Sequence, residues 1–285
     1  MSMQSSTRQI ESGLQLLTRL SNRPSLKGLC NVLFPDGLLS KETVEITGNV
    51  SSGKTFLMTQ LLAQCILPLE YSKVNIGLGI GVIFINTDHH FMVTKLVDLM
   101  CNYIKSAFQS NNQKLPSNEE MDVIINSSLK CLNIINCYNN SQFLLTLKTL
   151  ETTLLENYNI ALVAIDSISA FYWENRDEGG VWAMDLYITN LLELLHKSVT
   201  QFNIAVIYTR PSNFVSKVQD PSEKGLKLTM KNINYKINVH RDEKSENHLC
   251  TIRTATNKTD INYLITECGL TWLKESKVIN EDKEN

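Results

Sequence analysis

Eight consecutive residues, Gly48-Asn49-Val50-Ser51-Ser52-Gly53-Lys54-Thr55, spell GxxxxGK[ST] and constrain the fold of this chain more than any other feature. The flanks suit that spelling. Thr43 to Thr47 alternates apolar and polar residues as a strand does, and Thr55 to Ile66 carries apolar residues at helical spacing (Phe56, Leu57, Leu61, Leu62, Cys65, Ile66). In a strand–loop–helix of this kind the glycines let the backbone curl around a phosphate. Successive N–H groups then point inward, and the helix N-terminus adds the positive end of its dipole. Lys54 is placed to reach β/γ-phosphate oxygens, and the Thr55 hydroxyl to ligate Mg²⁺. The expected ligand is a nucleoside triphosphate, with Gly48, Asn49, Val50, Ser51, Ser52, Gly53, Lys54 and Thr55 as its phosphate site.

Composition narrows the class. Of 285 residues, 43% are hydrophobic, enough to bury a substantial core and too many for a disordered chain. The uncharged run from Val74 up to Asp88 holds glycines and polar residues and is too short to span a membrane. Arg8, Glu11 and Arg19 occupy the region where a signal peptide needs an apolar block. Seven scattered cysteines, none spaced CxxC, fit reduced thiols better than a disulfide framework or a zinc site. A net charge of −2 argues against a chain that coats DNA over its whole surface, while leaving room for a local basic face.

The pattern along the chain predicts an α/β fold. An amphipathic helix is expected over Ser6–Leu20, with Ser6/Gln9 as a capping box and Ile10, Leu14, Leu17 and Leu20 on one face. That stripe is a candidate partner surface, or it folds back on the chain's own sheet. Strands are expected at Gly81–Thr87, Leu132–Cys137, Ile160–Ile165 and Asn203–Tyr208, and helices at Ser141–Glu156 and Met184–Val199. The segment Gln109–Asp122 reads as an exposed loop. Strands alternating with helices indicate a mostly parallel sheet covered by helices on both faces. After Lys231, short period-2 stretches indicate an antiparallel C-terminal extension. The expected division is an N-terminal helix and linker over 1–40, a nucleotide-binding domain over 41–273, and a charged tail over 274–285.

Two acids complete the candidate site. Asp166, after the apolar run Ile160–Ile165, is placed to hold Mg²⁺ through water, unless it merely caps the next helix. Asp88, at the end of Gly81–Thr87, is the candidate catalytic group to orient an attacking water, unless it is an exposed turn aspartate. His89 and His90 read as loop histidines, because adjacent residues on an extended segment face opposite ways. Phe171-Tyr172-Trp173 reads as core or interface in preference to a base-stacking platform.

In the order phosphate loop, FINTD (84–88) and LVAIDSISAFYW (162–173), the chain resembles the RecA-like recombinase family. ESG (11–13), CILPLE (65–70), TDHHF (87–91) and DSISAFYWENR (166–176) resemble the recombinase paralogues of homologous-recombination repair. The resemblance spans roughly residues 8 to 210. It implies a nuclear, ATP- and Mg-binding subunit of a paralogue complex, docked on the D-type recombinase paralogue. Such a subunit assists the strand-exchange recombinase in repairing DNA double-strand breaks. About forty residues precede the first strand of the core, and Phe-x-x-Ala does not occur among them, so the resemblance implies an end subunit of the assembly. Recombinases carry glutamate where this chain has Asp88, and a γ-phosphate-sensing glutamine where it has Arg210. A carboxylate one methylene shorter sits about an ångström back, and a misplacement on that scale can cost about 10²-fold in rate.

The segment after Asn203–Tyr208 is a DNA-binding loop in that family. Here Arg210, Lys217, Lys224, Lys227 and Lys231 face only Asp220 and Glu223, so contact with single-stranded or branched DNA is one reading and solvated lysines the other. The second DNA-facing loop, Glu174–Gly180, is acidic. A DNA-stimulated ATPase and a structural subunit with ATP as a conformational ligand both remain open. A GTPase is the remote alternative, raised by NKxD at Asn257–Asp260 and DxxG at Asp177–Gly180.

Overall fold

The computed structural model describes residues 12–180, 183–212, 233–241 and 247–273. Nine strands form one continuous sheet, ordered β11-β10-β9-β8-β1-β7-β6-β4-β5. In chain order its strands are β1 (Thr43–Gly48), β4 (Gly81–Asn86), β5 (Leu132–Asn136), β6 (Ile160–Asp166), β7 (Ala205–Pro211), β8 (Tyr235–His240), β9 (His248–Arg253), β10 (Lys258–Thr266) and β11 (Gly269–Trp272). A two-stranded hairpin, β2 (Glu70–Tyr71) and β3 (Val74–Asn75), stands apart from it. The helices are α1 (Gly13–Ser21), α2 (Lys54–Ile66), α3 (Val93–Ser110), α4 (Asn118–Leu129), α5 (Asn140–Glu156), α6 (Tyr172–Asp177) and α7 (Met184–Val199).

The central strands are buried on both faces because helices cover both. Every residue of β1, β4 and β6 is buried. One core gathers Val44, Ile46, Val82 and Phe84 with α2 and α3, the other Ile83, Val163, Val206 and Tyr208 with α5 and α7. Each large apolar side chain fully buried this way contributes about 1.5–3 kcal/mol. The apolar–polar alternation of β1 therefore does not mark a solvent face: Thr43, Glu45 and Thr47 are buried as well.

Three sequence expectations are corrected. The stretch expected as an N-terminal linker is built into the main core, with Leu29, Leu33 and Phe34 at 0% exposure. The segment Gln109–Asp122 is not loop throughout, because α4 starts at Asn118 behind a capping box in which Ser117 and Glu120 satisfy each other's backbone N–H. β8 pairs with β1 in parallel, so the antiparallel part begins only at β9. The connection from β7 to β8 is long enough for a crossover, which a parallel neighbour requires.

At the N-terminus the described helix is α1, capped by Ser12 and Gln15. The expected Ser6/Gln9 box and Ile10 lie outside the described residues. Leu14 and Leu17 are 75% and 65% exposed, so they do not pack on this chain's own sheet.

Candidate nucleotide site

The phosphate loop joins β1 to α2 at the C-terminal end of the parallel strands, where α/β sheets bind ligands. Its backbone is unusual in a purposeful way. Ser51 and Gly53 have φ of +59° and +91°, and any Cβ at Gly48 would collide with Ser52 Oγ and the Val239 carbonyl. Gly53 is the N-cap of α2 and no side chain caps the helix, leaving its first N–H groups for an anion. Lys54 Nζ donates to the loop's own carbonyls, 3.0 Å from Gly48 O and 2.8 Å from Asn49 O. The ammonium is thus held where phosphate oxygens can take over from those carbonyls. Ser52 Oγ is buried without a hydrogen-bond partner, a further polar atom in the cradle. These residues fit a nucleotide's phosphates.

The two acids gather beside Lys54 at the phosphate loop. Thr87 N–H and Asp88 N–H donate to the Asp166 carbonyl at 2.9 and 3.1 Å, tying the end of β4 to the end of β6. Asp166 is buried, and its Oδ1 accepts a short hydrogen bond from Thr209 Oγ1 on β7. β7 lies between β1 and β6, so Asp166 is not on the strand next to the loop, and Thr209 bridges the gap. Burial lowers the Lys54 pKa, while Asp166 and Asp88 oppose that shift. Asp88 is exposed at the rim, yet its carboxyl is shielded enough that its pKa rises, first through desolvation and then through Asp166; His90, Lys54 and His89 pull the other way. A dication there would relieve both acids. Among the described residues no three His, Cys, Asp or Glu side chains converge to cage a metal. Mg²⁺ would therefore depend on Thr55, on water beside Asp166, and on the phosphates themselves.

Arg210 departs from expectation. It is buried, with Nε 2.9 Å from Glu45 Oε2 and Nη1 2.6 Å from Asp185 Oδ1. Burial works against its charge, but Glu45 and Asp185 outweigh it and raise its pKa. A guanidinium committed to two carboxylates on the α7 side of the sheet is not presented to DNA or to a γ-phosphate. Lys217, Lys224 and Lys227 lie outside the described residues. Sequence reasoning also missed the partners of this cluster: Tyr208 OH donates to Glu45 Oε2 at 2.9 Å, and Lys236 Nζ lies 3.9 Å from Glu45 Oε1. The available signal was a glutamate inside a strand of a doubly covered sheet, where a buried charge needs a partner.

The remaining motif residues fall into structural places. His89 lies 3.0 Å from the Cys137 carbonyl and stacks on Tyr138, with ring centroids 4.5 Å apart. Phe171 and Tyr172 are buried in the α5–α7 core, while Trp173 is half exposed with Arg176 over its ring. The first part of Glu174–Gly180 is helical, being the end of α6, and Glu174 accepts from Asn140 N–H. Asn257–Asp260 turns into β10, where Lys258 pairs with Asp260. The pairing of Lys258 with Arg253, and of Arg253 with Lys236, puts this turn level with Glu45, at the end of the sheet away from Gly48.

This arrangement of phosphate loop, Asp88 and Asp166 on one sheet agrees with sequence comparison: a model of the Rad51 family matches residues 27–242. The chain belongs to the Rad51 family. It is 34% identical over 214 residues to the mouse DNA repair protein XRCC2, covering 74% of this chain and 71% of that protein. It is 26% identical over 243 residues to an Arabidopsis thaliana DNA repair protein XRCC2 homolog, covering 73% of this chain and 64% of the relative. Membership makes it a RecA-type protein of DNA repair and recombination. The matched region covers the sheet from before β1 through β8, so this Rad51-family core includes the phosphate loop, both acids and Arg210.

Proposed function

We propose that this chain is an ATP·Mg-binding subunit of a nuclear recombinase-paralogue complex that acts in homologous-recombination repair of DNA double-strand breaks. The observation that carries the nucleotide part is the convergence of Lys54, Asp88 and Asp166 around an uncapped helix N-terminus. ATP's triphosphate lies along Gly48–Thr55, and Thr55 with Asp166 holds the metal, which supplies charge neutralisation between the phosphates. Asp88 stands near the γ-phosphate as a short-armed water-orienting group. Arg210 is locked into Glu45 and Asp185, which favours a binding subunit over a fast DNA-stimulated ATPase. DNA contact, where it occurs, falls to Lys217, Lys224 and Lys227.

The partner surface is α1. Leu14 and Leu17 face outward, and Leu14 with Gln15, Thr18, Asn22 and the 61% exposed Tyr158 lines a groove of about 410 Å³. The D-type paralogue is the proposed occupant, with the strand-exchange recombinase engaged only indirectly. Each such side chain buried at an interface contributes about 1.5–3 kcal/mol before association costs.

Deleting residues 1–22 tests the assembly part. It keeps Arg23, whose guanidinium binds the carbonyls of Leu154 and Asn157 at 2.7 and 2.6 Å. Co-purification with the D-type paralogue should be lost while the melting temperature stays nearly unchanged. A collapse of melting temperature would return the helix to this chain's own core. Melting shifts with ATP and GTP test the ligand; stabilisation by GTP alone would overturn the ATP reading.

A further inference from the structure

The β8–β11 half of the sheet holds the phosphate loop from behind. Because Gly48 lacks a side chain, the Val239 carbonyl of β8 reaches the start of the loop. Arg241 Nη1 approaches Ser51 O at 3.5 Å. Tyr263 on β10 donates its hydroxyl to Ser52 O at 2.9 Å, and Ile265 packs 3.3 Å from where a Gly53 Cβ would stand. Tyr263 is fully buried, its ring edge-on to His248 and against Trp272. A fully buried phenol aimed at one loop carbonyl is a specific contact, not surface decoration.

We propose that Tyr263 is a positioning residue of the phosphate loop, and that β8–β11 thereby belong to the nucleotide site. The physical reason lies in the peptide plane. In a trans peptide the C=O of one residue and the N–H of the next point in opposite directions. Fixing Ser52 O on the β10 side therefore turns the Gly53 N–H toward the opposite side, where a phosphate would bind. Gly53 holds a left-handed φ that no helix or strand imposes, so an external tether keeps the loop in that shape. The expected consequence is a loop already formed before nucleotide arrives, sparing the ligand the cost of ordering it.

Tyr263→Phe removes the hydroxyl and keeps the ring, and two measurements judge it. In the nucleotide-free chain, amide hydrogen exchange over residues 50–56 should quicken roughly tenfold, with residues 258–272 unchanged, since one buried hydrogen bond is lost. Mg·ATP affinity should fall roughly three- to tenfold on the same basis, with adenosine affinity unaltered. Unchanged exchange over 50–56 overturns the proposal. So does faster exchange spread through 258–272, which would make Tyr263 a support of its own hairpin only. The affinity arm rests on the nucleotide reading above, and Lys54→Ala separates the two. If Lys54→Ala weakens Mg·ATP binding and Tyr263→Phe does not, the link to phosphate is wrong and the site stands. If Lys54→Ala binds as wild type does, the nucleotide reading fails and the exchange arm alone decides whether Tyr263 holds the loop.

Discussion

Strand β1 connects two clusters of charge with opposite fates. At its C-terminal end, Lys54, Asp88 and Asp166 face one another around an open loop, and no ion pair within 4.0 Å joins them among the described residues. Three residues before Gly48, Glu45 sits in a closed cluster with Arg210, Asp185, Tyr208 and Lys236. In the upper group burial outweighs the neighbouring charges: it depresses the Lys54 pKa against the pull of Asp166 and Asp88, and with Asp166 it lifts that of Asp88. The lower group is paired, and Arg210 gains proton affinity from it. Residue types are shared between the two. What differs is whether the protein itself supplies the counter-charge or leaves that to a ligand, and perturbed groups of the second kind mark functional sites.

The comparison breaks most sharply at Arg210. Arg210→Ala removes the guanidinium from two carboxylates, one of them Glu45 at 4% side-chain exposure. Breaking a buried pair from one side costs about 3–5 kcal/mol. Denaturant unfolding should show a loss on that scale, and a change below about 1 kcal/mol would mean the cluster relaxes to water instead.

Lys54→Ala should do the reverse, sparing the fold and costing ligand. Its partners here are two loop carbonyls, so stability should barely change. Mg·ATP binding should weaken by about 2 kcal/mol or more, the scale of charge-assisted hydrogen bonds. Calorimetric titration checks this, and equal affinities would remove the nucleotide site.

Asp88→Asn gives the smallest effect and the most telling sign. The folded-state pKa of Asp88 is raised, so its contribution to stability is complete below the ordinary aspartate value of 3.8. That contribution is lost as pH rises through the raised value. Ionised Asp88 therefore weighs against the nucleotide-free fold at neutral pH. The variant should melt slightly higher than wild type at pH 7, with the gap closing toward pH 4. A gap that widens on acidification would show that Asp88 is stabilised as the anion.

Much of this was legible from residue order. The phosphate loop, the acids Asp88 and Asp166, and the helix Met184–Val199 announce themselves because each depends on contacts within a short span: a turn, a strand end, a repeating stripe. α4 escaped because its apolar positions are few behind a polar start, and its N-terminus rests on a Ser117–Glu120 box inside a polar, loop-like stretch. Arg210 and Tyr263 escaped for a different reason. Their partners are 165 residues away at Glu45 and 211 away at Ser52, and no local pattern encodes such pairings.

Sequence by itself determined that a phosphate loop leads a mostly parallel sheet, because backbone curvature, helix period and strand period are properties of neighbouring residues. Tertiary structure alone decided which charges are spent inside the protein and which are left for a ligand. It also decided which apolar side chains are covered, as in α2, and which are bare, as are Leu14 and Leu17 of α1. Those outcomes depend on what the far parts of the chain bring alongside, since burial and the pairing of charges are fixed only when strands and helices have packed.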